Sequence, residues 1–189
     1  MVKAYILNDK DKNMLLKLAR DAILTSFNDS DPDVSTVGHL TQLRGCFVTL
    51  HKHNALRGCI GFPKPVMPLY EQIIAATKAA AFDDPRFDSL TKNELKDIII
   101  EISILTKPEL LKVKNPDEYL DKIEIGKDGI IIQGTSSGLL LPQVATEYNF
   151  NPKQFLECVC EKASMPKDAW KNLSNKIYIF KAEIFSEDN

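Results

Sequence analysis

The chain has no apolar run approaching the roughly 20 residues needed to cross a bilayer. Its opening residues, MVKAYILNDKDK, lack an apolar segment followed by a small-residue cleavage site. Neither a membrane span nor secretion is expected, and the location read from this is cytoplasmic. Net charge is small, −2 at pH 7, which argues against a nucleic-acid binder that works by neutralising phosphates. No stretch is of low complexity and none reads as an inter-domain linker. The Gly134–Gly138 loop lacks the Gly-Lys-Ser/Thr ending of a phosphate loop. Cysteine is sparse, four residues in 189, and without a leader these are expected to be free thiols in a reducing compartment.

What is present is a globular composition, 44% hydrophobic and 26% charged, with a length that suits one domain over residues 1–189. Asn8 can cap a first helix, with Asp11 three residues on, and Leu16, Ala19, Ile23 and Phe27 repeat at helical spacing. Leu69, Ile73, Ala76 and Ala80 mark a second helix, ended by Asp83-Asp84-Pro85. Ile98, Ile100, Ile102 and Ile104 alternate as a strand with Glu101 on the opposite face. A short helix is expected around Pro116–Leu120, and two strands around Gly134–Gly138. Pro142 suits a helix start, and Phe155, Val159 and Ala163 line a further helix. Tyr178, Phe180, Ala182 and Ile184 read as one closing strand. Helices and strands mix without a βαβ rhythm, so the class is α+β with a largely antiparallel sheet flanked by helices.

The most informative stretch is LRGCFVTLHKHNALRGCIG, from Leu43 to Gly61, which says LRGC twice. Alternation on either side of a His/Asn turn predicts an antiparallel hairpin rather than a duplicated module. A symmetric turn pairs residues whose numbers sum to a constant; Cys46 then faces Cys59, and Arg44, Cys46, Val48, Leu50, Arg57 and Cys59 share one face. A bulge at Gly45 or Gly58 would break that register.

Several residues in this region bear chemistry. Cys59 could be a nucleophile with Arg57 favouring its thiolate, or a small buried hydrophobe. His51 and His53 with Cys46 or Cys59 could bind metal, but they sit at the expected turn, and no metal ligand is assigned. Cys158 and Cys160 lie two apart on a helix and face different sides, Cys160 toward the core. Asp84 and Arg86 are either a held turn with Phe87 plugged into the core, or an arginine at a cleft reading an anionic group. Glu101 is a solvated face residue or a cleft carboxylate paired with Arg57. The candidate site is therefore Cys59 and Arg57 as catalytic residues, with Asp84, Arg86 and Glu101 binding substrate.

ALRGCIG at 55–61 resembles the signature of the AMMECR family, named after the chromosomal region of Alport syndrome, midface hypoplasia and elliptocytosis. RGCFVTL, AAAFDDPRF, EISILTKPELL, GKDGIIIQ, GLLLPQVATEYNF, FLECVCEKA and IYIFKAEIF are similar to blocks in the same order in that family. The family more often has another residue where this chain has Cys46, which weakens the idea of a required cysteine pair. The resemblance implies a larger and a smaller lobe, a cytoplasmic or nuclear location, and no established reaction. It further implies association with a MEMO-like protein and a radical-SAM protein. On these grounds the chain reads as an enzyme or enzyme subunit with a polar cleft around LRGCIG, acting on an unidentified small molecule. The alternative is a non-catalytic binding or adaptor domain. No cofactor is expected, no nucleic-acid or membrane partner is expected, and a homodimer is left open.

Overall fold

The computed structural model describes residues 7–188. It is α+β, built on two four-stranded antiparallel sheets, where the sequence pattern suggested one. The chain divides into two compact units, one running to Leu105 and resuming at Glu183, the other Thr106–Ala182.

The first unit starts with α1 (Asp9–Ser26). Asn8 and Asp11 form a reciprocal capping box that satisfies the first backbone donors, as the spacing predicts. The hairpin follows: β1 (Cys46–Lys52) and β2 (Ala55–Phe62). They are joined through His53 and Asn54, both with positive φ (51° and 63°). Positive φ at both central residues is the type I′ geometry whose twist matches that of the strands. After α2 (Leu69–Phe82) comes β3 (Ile98–Leu105), and β8 (Ala182–Ser186) completes a sheet ordered β2-β1-β3-β8. Cys46, Val48 and Leu50 of β1 and Ile100, Ile102 and Ile104 of β3 are fully buried, in one core with Leu15, Ile23, Leu69 and Ile73 of the helices. That covered face places the C-terminal end of α2 against β2.

The second unit holds β4 (Glu109–Leu110), α3 (Glu118–Lys122), β5 (Gly129–Gln133), β6 (Ser137–Leu140), α4 (Pro142–Glu147), α5 (Pro152–Lys162) and β7 (Lys176–Phe180). Its sheet is ordered β4-β7-β5-β6. Ile130, Ile132, Phe155, Val159, Trp170 and Ile177 form its core. Cys160 is buried there and Cys158 is less so, as the helical spacing predicts.

The closing segment is two strands rather than one. Ile177 and Phe180 are buried in β7, whereas in β8 the buried residue is Phe185 and Ile184 is exposed. The alternation changes phase at Lys181, whose backbone exchanges hydrogen bonds with Thr106, and β7 and β8 belong to different sheets.

Candidate functional site

The doubled LRGC resolves into two close approaches of backbone. A Cβ on Gly45 would come within 2.5 Å of the Pro63 carbonyl oxygen. A Cβ on Gly58 would overlap the carbonyl oxygen of Ala80, near the end of α2. Each copy therefore needs glycine for a different neighbour.

The register differs from the symmetric expectation. Cys46 faces Phe62, Thr49 faces Cys59 and Leu50 faces Gly58, but His51 faces Leu56. Arg57 is the extra residue of a bulge beside Gly58. Cys46 and Cys59 consequently lie on opposite faces of the sheet. Burial pushes the Cys46 thiol up to about 12, a hydrogen bond with Gln72 working in the other direction. Cys59 does not share the face of Cys46 that the symmetric hairpin would give it, and Arg57 has no partner across the hairpin. His51 lies within β1 and His53 in the turn. Among the described residues no group of three or more His, Cys, Asp or Glu is placed to hold a metal ion.

The bulge turns Arg57 toward Glu94. The Arg57 Nε donates to Glu94 Oε1 at 2.9 Å and Nη2 to Oε2 at 3.2 Å. Lys52 Nζ adds a bond to Oε1 at 3.0 Å, and the Thr91 N–H and hydroxyl each donate to Oε2 at 3.0 Å. The Arg57 hydrogen bonds come first in holding the Glu94 carboxyl well below the usual carboxylate range, against the cost of its burial. Arg57 is left with a buried Nη1 that has no acceptor among the described residues.

Asp84 makes a second knot. Pro85 follows it in a turn closed by the Phe87 N–H donating to the Asp84 carbonyl at 3.1 Å. The Asp84 Oδ1 accepts from the Arg86 N–H (3.1 Å) and Nε (2.9 Å); Oδ2 accepts from Arg86 Nη2 (2.7 Å) and the Cys59 N–H (2.8 Å). Arg86 Nη2 also donates to the Cys59 carbonyl at 3.0 Å. Strand β2 is an edge strand, so Asp84 and Arg86 satisfy the outward N–H and C=O of Cys59 as a neighbouring strand would. The Arg86 hydrogen bonds, then those of the two backbone N–H groups, hold the Asp84 carboxyl well below its usual range despite burial. All four acceptor sites of Asp84 are filled within the chain, so it positions its neighbours and presents no free lone pair.

Between these knots lies an open depression of about 580 Å³, lined by Arg57, Arg86, Phe87, Thr91, Glu94 and adjoining loop residues. The Arg57 and Arg86 guanidinium carbons stand 6.0 and 5.6 Å from the centre of the Phe87 ring, within cation–π reach. Phe87 is half-buried as a wall of the depression instead of a plug in the core. Arg57, Asp84 and Arg86 are thus brought together by side chain, and Cys59 joins them by its backbone. The Cys59 thiol accepts a hydrogen bond from the Thr49 hydroxyl at 3.4 Å. Glu101 pairs with Thr49 across the sheet and does not line the depression; the partner of Arg57 is Glu94. Glu94, Lys52 and the wall role of Phe87 escape the sequence reading. The signal for Glu94 is Thr91-Lys92-Asn93-Glu94, a capping-box spacing that here starts a single 3₁₀ turn.

An α+β protein with a polar depression at a bulged LRGC strand is the class these features define. A family model described as AMMECR1 matches residues 16–185, and the chain belongs to that family. It is 45% identical over 193 residues to a protein of Thermococcus onnurineus, covering 97% of this chain and 94% of that one. It is 52% identical over 147 residues to Protein MJ0810 of Methanocaldococcus jannaschii, covering 76% and 73%. The crystal structure of the uncharacterized protein PH0010 from Pyrococcus horikoshii matches with a TM-score of 0.89 at 41% identity, over 96% of this chain and 94% of that one. Among the described residues no helix is long and apolar enough to cross a membrane.

Proposed function

We propose that the chain is a binding domain whose depression beside the LRGC bulge receives an anionic group. The observation that carries this reading is the buried Arg57 Nη1, which has no acceptor among the described residues. A buried guanidinium donor left unpaired is costly, and an entering acceptor would relieve it. Lys52, Arg57 and Arg86 share the carboxylates of Glu94 and Asp84, and Asp88 on the rim brings the local charge to balance, so the unpaired donor and not a charge surplus favours an acceptor. Arg86 is half-exposed, and with Nε and Nη2 committed it keeps the donors of Nη1 for a ligand.

This reading favours binding over nucleophilic catalysis, because the hydrogen-bond partner of the Cys59 thiol is a hydroxyl rather than an imidazole. Arg57 and Arg86 bind, and Asp84 and the Cys59 backbone hold Arg86 in place. Service to a MEMO-like or radical-SAM partner, which the family resemblance implies, would make this depression the place where the domain holds a group for another protein's chemistry.

The test is thermal unfolding of the full chain with acetate, benzoate, phosphate and sulfate at constant ionic strength. A ligand at 100 times its Kd stabilises the folded state by about 2.7 kcal/mol. At least one anion should raise Tm, and the rise should vanish in Arg57→Lys, which keeps the charge but loses the planar fork. A rise that persists in Arg57→Lys and in Arg86→Gln, or no rise with any anion, would remove the reading.

A further inference from the structure

Resting on the anion-site reading above, we infer that Glu94 is the positioning residue of the depression. It fixes the direction in which Arg57 offers its free donors, and so strengthens the binding of an anion despite its own negative charge.

A guanidinium is a rigid plane on a long flexible stem, so its donors keep one direction only where something holds the plane. The Glu94 carboxylate does so by a two-point grip, Nε to Oε1 at 2.9 Å and Nη2 to Oε2 at 3.2 Å. Two parallel bonds in one plane set the orientation of the opposite edge, Nη1 and the second Nη2 hydrogen. That edge carries the buried Nη1 that has no acceptor among the described residues.

Glu94 is itself held by the backbone. Its Oε2 accepts from the Thr91 N–H and hydroxyl, both at 3.0 Å, in the capping box of the 3₁₀ turn Lys92–Glu94. The residues before that turn are tied to the end of α2. The Leu90 N–H donates to the Ala81 carbonyl at 2.8 Å, and the Ser89 hydroxyl to the Phe82 carbonyl at 2.9 Å. Leu90 is buried in the core of the first unit. The carboxylate is thus in place before a ligand arrives, as preorganisation of a binding group requires.

On charge alone, a carboxylate beside an anion site is adverse. Lys52 offsets it, with Nζ 3.0 Å from the same Oε1 that takes Arg57 Nε. Glu94 receives five donors from Arg57, Lys52 and Thr91, against about four lone-pair sites. Its contact with a ligand therefore runs through Arg57. The two roles differ in sign. If Glu94 acts as a bare charge, its removal tightens anion binding; if it positions Arg57, its removal weakens it.

The experiment measures dissociation constants of acetate, benzoate, phosphate and sulfate for the full chain, by calorimetric titration at constant ionic strength below the unfolding range. Glu94→Gln removes the charge and one arm of the grip at equal side-chain length. Thr91→Val loosens Glu94 and changes no charge. For each anion that binds the wild type, Glu94→Gln should bind about tenfold more weakly, the size of one hydrogen bond to a charged group. Thr91→Val should bind about threefold more weakly. The Arg57 Nε–H resonance should broaden in both variants while the backbone amides of β1 and β3 keep their shifts, which a general loosening of the fold would not give.

Glu94→Gln binding as tightly as the wild type, or tighter, would overturn this inference and leave the anion site standing. If Glu94→Gln fails to fold, Thr91→Val decides, and an affinity equal to wild type overturns it. Binding of none of the four anions by the wild type, or affinities unchanged in Arg57→Lys, would remove the anion site and this inference with it.

Discussion

Thr49 stands opposite Cys59 across the β1–β2 hairpin, its hydroxyl 3.4 Å from the thiol, on the sheet face away from Cys46. The two cysteines of the doubled motif therefore cannot be bridged without turning one strand over. Mass spectrometry without reductant should find four free thiols. Alkylation at pH 8 should reach Cys59 well before Cys46, which is fully buried with its thiol pushed up to about 12. Cys46→Ala should destabilise by about 1–2 kcal/mol through lost burial and a small cavity. Equal alkylation of the two thiols in the native state would contradict the placement.

Asp84 accepts four hydrogen bonds, one from the Cys59 N–H and three from Arg86. Asp84→Asn replaces one acceptor oxygen by an amide NH2, itself a donor, that must then face a donor. A loss of about 2–3 kcal/mol is expected in urea unfolding, the scale of hydrogen bonds to a charged group. Arg86→Ala leaves the carboxylate buried with two backbone donors and should be damaging too. Because the residues act as a unit, the double variant should lose less than the two single losses combined, by about 1–3 kcal/mol. Strict additivity would show that the pair does not cap the strand edge.

The legible parts of this architecture are those set by local chemistry. Asn8 and Asp11 announce their own cap. Alternation around a His/Asn turn announces the hairpin, and the structure turns it through His53 and Asn54 at positive φ. The bulge is of another kind: Gly58 is required by Ala80, 22 residues on in the chain, and the extra residue that this approach entails is invisible to any count along β1 and β2. Once Arg57 is the bulged residue, its ion pair is with Glu94 rather than with Glu101. Asp84 and Arg86 could be singled out because a Pro-fixed turn after a helix is a place where polar groups are held. Their actual use, as a substitute strand for Cys59, depends on α2 delivering them to the edge of β2.

Both knots predict an acid limb in the stability profile. The Asp84 and Glu94 carboxyls are held below the usual range, chiefly by hydrogen bonds from Arg86 and Arg57 respectively. A depressed folded value means that the unfolded chain takes up protons first. The stabilisation is thus fully present above the unfolded values, about 3.9 for Asp and 4.3 for Glu. It is lost as pH falls through that range toward the folded values. Urea midpoints should therefore be insensitive to these groups from neutral pH down to about 5 and then decline. Glu94→Gln should lower stability at pH 7 and shrink the decline below pH 4. A Glu94→Gln profile parallel to wild type would show that Glu94 contributes no such linkage.

Glycine at 58 is the feature on which the whole site depends, because the bulge lets β2 lie against the end of α2. A single added methyl at this position would overlap the Ala80 carbonyl oxygen, a backbone atom that no side-chain rotation can move aside. Gly58→Ala must shift either β2 or the last turn of α2, and overpacking of this kind costs about 1–3 kcal/mol or more. The Cys59–Asp84 bond and the Arg57–Glu94 pair lie on either side of the displaced residue, so anion-dependent stabilisation should fall with it. Gly38→Ala is the control: its nearest neighbour would be the Val34 carbonyl oxygen at 3.5 Å, an ordinary contact, and its φ is not positive. That variant should unfold within about 0.5 kcal/mol of wild type and keep its response to anions. If Gly58→Ala were as stable as Gly38→Ala, and bound anions as well, the close packing of the bulge on α2 would not be what shapes the depression.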